Sequence, residues 1–109
     1  MFLEKRLNTY SEGLEFVYEV EKNQTNADAL QQILRRWEKW YPLNVVYLPT
    51  QVNDDLFGAM HWTNPVIIDL HNDGEVNPET WKIFKDELQK AKTSLMNLKD
   101  IGWLPEDLR

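Results

Sequence analysis

The chain has 109 residues, with 18 acids against 12 bases and no cysteine. That length suits a single domain, residues 1–109, and the missing cysteine excludes disulfides, thiolate chemistry and cysteine-based zinc sites. A net charge of −6 weighs against direct nucleic-acid binding, which needs a concentrated positive footprint. No apolar run approaches the ~20 residues of a membrane span.

The opening residues, MFLEKRLNTY, contain no apolar stretch of signal-peptide length and no small-residue cleavage site, so a cytosolic location is expected. Residues 2–8 read as a short strand joined through Thr9-Tyr10-Ser11-Glu12 to a second strand at 13–22, GLEFVYEVEK. In that segment Leu14, Phe16, Tyr18 and Val20 alternate with Glu15, Val17, Glu19 and Glu21, the pattern of a strand with one buried face. Thr25-Asn26-Ala27-Asp28 fits a capping pattern with Thr25 as N-cap. Ala27, Leu30, Leu34, Trp37 and Tyr41 then step by three and four, widened by Ile33 and Trp40, until Pro42 is expected to end the helix.

Residues 43–49, LNVVYLP, are apolar on both faces and predict an interior strand, completing a right-handed βαβ crossover. Residues 56–62 and 65–71 predict a hairpin turning at Thr63-Asn64-Pro65. A last helix is expected over 77–101, with Asn77 as N-cap, Pro78 at the first position and Val76 stapled on Trp81. Along it Trp81, Phe84, Leu88, Ala91, Leu95 and Leu98 keep a strict three-four step, and Gly102 is expected to close it with Trp103 folded back on Leu98. The fold class predicted is α+β: a mainly antiparallel sheet of four or five strands with two helices on one face, in the order (β)βαβ(β)βα.

Chemistry is most expected at 65–76, PVIIDLHNDGEV. In the hairpin register His61, Asp69 and His71 share a face, with ligand types that suit zinc or iron. A metal-dependent or acid–base enzyme is therefore one reading. A strand end running into an Asn72-Asp73-Gly74 turn accounts for the same residues, and Glu75 and Glu79 are what a helix dipole favours. On that balance no catalytic residue, metal or cofactor is assigned. An EF-hand fails on spacing, and no phosphate loop, nucleophile elbow or HExxH pattern occurs.

Partner-binding residues are sought in two sets. Glu15, Glu19 and Glu21, with Glu12 just before them, form a carboxylate row on the expected strand. Trp40, Trp62 and Trp103 lie at element ends or edges, where tryptophan anchors interfaces, whereas Trp37 and Trp81 fall on core stripes. Arg35, Arg36 and Lys39 make a small basic patch at the end of the first helix, where the dipole favours cations. The function expected is a small acidic cytosolic protein-binding module that covers a basic surface of another protein. An inhibitor, an immunity factor or a viral anti-defence protein would work this way. A third reading is a structural or assembly subunit associating through helix 77–101.

Overall fold

Two adjacent residues decide between strand and helix in the first segment. Val17, which alternation places outward among the glutamates, is fully buried, and Tyr18, which alternation buries, is 43 % exposed. Buried positions run Thr9, Tyr10, Gly13, Leu14, Phe16, Val17 and Val20, which fall within one broad helix face. A computed structural model describes residues 2–102, with side chains for residues 4–97, and in it Phe2–Lys22 form a single helix, α1. The strands expected at 2–8 and 13–22, and the turn between them, are parts of α1. Gly13, the one glycine in that span, serves packing: a Cβ there would lie 3.3 Å from Leu56 and 3.5 Å from Leu95.

Helix α2, Ala27–Asn44, follows the expected stripe and buries Leu30, Ile33, Leu34 and Trp37. Its N-cap is Asn26 and not Thr25: the Asn26 Oδ1 accepts from the Ala29 N–H at 3.1 Å. Pro42 does not stop it. The Val45 N–H donates to the Tyr41 carbonyl, so the ladder resumes past the proline. The interior strand expected at 43–49 is absent. That segment is the last turn of α2, a 3-10 turn at Val45–Tyr47, and the extended Leu48. Leu43 and Val46 are 74 % and 77 % exposed, while Leu48 is buried.

Helix α3, Thr50–Asp73, replaces the expected hairpin and runs through Thr63-Asn64-Pro65 without a turn. Val52, Leu56, Ala59, Met60, Thr63, Val66 and Ile67 line its buried face. Pro65 cannot donate to the His61 carbonyl four residues back. The Asn64 Nδ2 approaches that oxygen at 3.4 Å, and the fully buried Thr63 hydroxyl donates to the Ala59 carbonyl at 2.9 Å. An interior proline costs about 3 kcal/mol. Val66 and Ile67, both buried just beyond it, each contribute about 1.5–3 kcal/mol by leaving water. Packing therefore outweighs the proline. The helix ends at Gly74, whose φ of 74° is left-handed and whose N–H donates to the Leu70 carbonyl at 3.0 Å.

Helix α4, Pro78–Gly102, has the predicted start: the Asn77 Oδ1 accepts from the Glu79 N–H at 2.9 Å, and its carbonyl accepts from Trp81. Phe84, Leu88, Ala91 and Leu95 are buried as the stripe requires, and Val76 and Trp81 are half-buried against the same core. Gly102, expected just past the helix end, is itself helical and is the last of the described residues. The contact expected between Leu98 and Trp103 lies outside the described side chains.

The four helices form a bundle whose neighbours run antiparallel: α1 touches α2 and α4, α3 touches α2 and α4, and α1 also meets α3 across the core. Direction follows from cross-helix pairs: Thr9 with Asn44 and Glu19 with Arg36, Asp55 with Ser94 and Asp69 with Asn77, Gly13 beside Leu95 and Glu21 with Lys92. One apolar cluster threads all four helices. The described residues contain no strand, so the α+β sheet is corrected to a four-helix bundle. No helix among them is long and apolar enough to cross a membrane.

Candidate functional site

The seam between α1 and α2 is held at one end by polar atoms and along its length by rings. The fully buried Thr9 hydroxyl lies 2.9 Å from the Lys5 carbonyl and 3.2 Å from the Asn44 Oδ1, so its single proton serves two acceptors. The Asn44 Nδ2 donates to the Trp40 carbonyl at 2.9 Å. These bonds set the register that brings Phe16 of α1 against Trp37 and Trp40 of α2, with ring centroids 5.8 and 5.3 Å apart. The two tryptophans are themselves 5.5 Å apart.

That packing places carboxylates beside an indole. Glu12, Glu15 and Glu19 are spaced three and four residues apart on a helix and therefore share a face. They line a shallow groove of about 170 Å³ together with Phe16, Arg36 and Trp40. The half-buried Trp40 donates its indole N–H to the Glu12 Oε1 at 3.2 Å. Arg36 pairs with Glu19, and its guanidinium sits 5.8 Å from the centre of the Phe16 ring. Glu15 is exposed and makes no ion pair among the described residues. The groove thus offers three carboxylates against one guanidinium, on a floor of aromatic faces. Such a lining recognises cations: carboxylates accept charge-assisted hydrogen bonds, and ring faces attract positive charge.

Of the residues singled out from the sequence, Glu15, Glu19 and Trp40 converge here. Glu21 does not. It lies about 200° around the helix from Glu19 and pairs with Lys92 of α4 at 2.7 Å. The single row of Glu15, Glu19 and Glu21 was a property of the strand; on a helix the row is Glu12, Glu15 and Glu19. Trp62 sits on α3 with its ring edge-on to His61, 6.4 Å between centroids, and does not line the groove. Trp103 lies outside the described residues. Phe16 was missed as a site residue, and Glu12 was set beside the carboxylate row without being counted among the binding residues; a helical reading of 12, 15, 16 and 19 groups them at once. The basic patch is divided as well, since Arg36 reaches across the exposed rim of the seam to pair with Glu19.

His61, Asp69 and His71 do not come together. All three are on α3, with Asp69 about 12 Å and His71 about 15 Å along the axis from His61. The Asp69 Oδ2 accepts from the Asn77 N–H at 3.0 Å and so pins the turn between α3 and α4. Asn72-Asp73-Gly74 does end an element, but that element is a helix and not a strand. Among the described residues no group of three or more His, Asp or Glu side chains is placed to hold a metal ion. Comparison with protein-family models, with curated protein sequences and with solved structures finds no match to this chain.

Proposed function

We propose that this chain is a small acidic protein-binding module that receives a basic segment of a partner protein in the groove between α1 and α2. It acts by occupancy, as an inhibitor or immunity factor does, and does so in the cytosol. One observation carries this reading: Glu12, Glu15 and Glu19 line one groove beside the half-buried Trp40, and Glu15 has no cation of its own. The net charge of −6 adds a long-range field that speeds encounter with a basic surface. A lining of carboxylates repels phosphate, which argues against nucleic acid as the ligand. The separation of His61, Asp69 and His71 along α3 leaves the enzymatic reading without an assembled site.

An arginine-rich peptide titrated into ¹⁵N-labelled protein tests the proposal. The Trp40 indole N–H resonance, assigned from Trp40→Phe, should shift and saturate, and the shift should weaken as salt rises. Glu12→Gln/Glu15→Gln should reduce the affinity several-fold. Asp73→Asn/Glu79→Gln removes the same charge away from the groove and should leave it nearly unchanged. Equal losses in the two double variants, or an unmoved Trp40 signal at millimolar peptide, would reject the groove as the binding site.

A further inference from the structure

The outer face of α3 carries a line of exposed side chains that is only partly covered by its neighbour α2, where Tyr41 packs on Phe57 with ring centroids 5.8 Å apart. Asp54, Phe57, His61, Asn64, Ile68 and His71 are all exposed, and they follow one another at steps of three, four, three, four and three. That is the spacing of a coiled-coil seam, in which each side chain can enter a hole on a facing helix. Phe57 is 50 % exposed and Ile68 is 56 % exposed, and His61 stacks on Phe57 at 6.2 Å with the rings 10° from parallel. Elsewhere the exposed hydrophobics are differently placed. Tyr18 and Met96 meet, with the Tyr18 hydroxyl 3.9 Å from the Met96 sulfur, Leu43 and Val46 flank the end of α2, and Ile83 stands near the start of α4.

The line also reads the same chemistry in both directions from a point between Trp62 and Thr63. Turning a second α3 end for end about that point sets Phe57 against Ile68, His61 against Asn64, and Asp54 against His71. Each pairing is complementary: apolar with apolar, imidazole with carboxamide, and carboxylate with imidazole. A two-fold interface needs this, because every residue that contacts a different residue must be contacted by it in turn. From the mirrored spacing and the complementary pairs, we infer that the occupant of this face is a second copy of the same chain, with the two α3 helices packed antiparallel. The helices are already folded before they meet, so the seam need not be long enough to form an isolated coiled coil. A single helix pair buries less than the roughly 1,200 Å² of a stable complex. The expected dissociation constant is therefore on the order of 10–100 µM. The groove between α1 and α2 lies outside this contact, and the dimer would carry two of them.

Cysteine crosslinking tests both the dimer and its direction, and the chain has no cysteine to interfere. In the antiparallel arrangement residue 57 of one copy faces residue 68 of the other. The two copies of residue 57 are about 16 Å apart, beyond disulfide reach. Phe57→Cys mixed with affinity-tagged Ile68→Cys under mild oxidation should therefore give mixed dimers, and neither variant alone should. Sedimentation of the wild type should show a monomer–dimer equilibrium that Ile68→Asp abolishes without loss of helical circular dichroism. Self-crosslinking of Phe57→Cys at the mixed rate would mean a parallel contact and overturn the proposal. A wild type that stays monomeric at 0.5 mM would overturn it too and would leave this face to a different protein.

Discussion

The seam between α1 and α2 and the outer line of α3 are both rich in aromatic and polar side chains, yet they have opposite relations to their own fold. At the seam nearly every group has an internal partner: Trp40 holds Glu12, Arg36 holds Glu19, and Thr9 meets Asn44. Along α3 the Phe57 ring leans on Tyr41 of α2 and stacks on His61, but Asp54, Ile68 and His71 make no hydrogen bond, ion pair or ring contact with another helix among the described residues and stay open to water. Groups with internal partners hold the bundle together and leave only residual charge for a ligand. Groups without them add little to the fold and keep their interaction capacity for another molecule. The two surfaces should also respond oppositely to salt. Screening weakens a cation in the acidic groove, whereas it relieves the repulsion between two copies that each carry a charge of −6.

The largest difference should appear on truncating a ring. Trp37 is 6 % exposed and packs on Phe16, Trp40 and Tyr41. Trp37→Ala should cost about 3–5 kcal/mol in urea unfolding. Phe57→Ala, half-exposed on α3, should cost about 1 kcal/mol or less at a protein concentration too low for association. Similar losses at the two positions would erase the distinction.

The next effect concerns the buried polar register. Asn44→Ala should cost about 1–3 kcal/mol, because it removes a partner from the fully buried Thr9 and a donor from the Trp40 carbonyl. Trp40 fluorescence should change with it, which a stability loss elsewhere would not produce in the folded state. Asn77→Ala supplies a yardstick outside both regions. Loss of the cap on α4 should cost about 1 kcal/mol and alter neither peptide binding nor sedimentation.

The smallest effect is expected at the ion pair of the groove. The Arg36 and Glu19 side chains are 56 % and 42 % exposed. Glu19→Gln should therefore change stability by no more than about 0.5 kcal/mol. Freed from Glu19, Arg36 should compete less well for the groove's ring face, so peptide affinity should fall by less than twofold. A stability loss above about 1 kcal/mol would show that this pair is structural, and would blur the contrast between the two surfaces.

The stripes of α2 and α4 were legible in the sequence, because the three-four step is sustained across 27–41 and 81–98 and the caps Asn77 and Pro78 mark a start. Residues 13–22 were not. Over ten residues Leu14, Phe16, Tyr18 and Val20 satisfy alternation, while Leu14, Val17 and Val20 satisfy a helix equally well, and short apolar runs carry both periods. Pro42 and Pro65 misled for another reason. Each is a valid local signal against helix, but α3 is flanked by α2 and α4, and the burial of Val66 and Ile67 outweighs the missing hydrogen bond.

The candidate site divides along the same line. Composition alone determined the acidity of the chain and the absence of thiol chemistry, since charge and residue type are present in every conformation. The candidacy of Glu15, Glu19 and Trp40 came from their places on an expected strand and at an expected helix end. Only the tertiary structure decided that Phe16 belongs with them and Glu21 does not, that Arg36 reaches across the surface to Glu19, and that His61, Asp69 and His71 stand apart. Those outcomes depend on the turn angle per residue and on which helix lies alongside. A residue two positions on shares the face of a strand but lies about 200° away on a helix, so the change of backbone reassigned each of these neighbours.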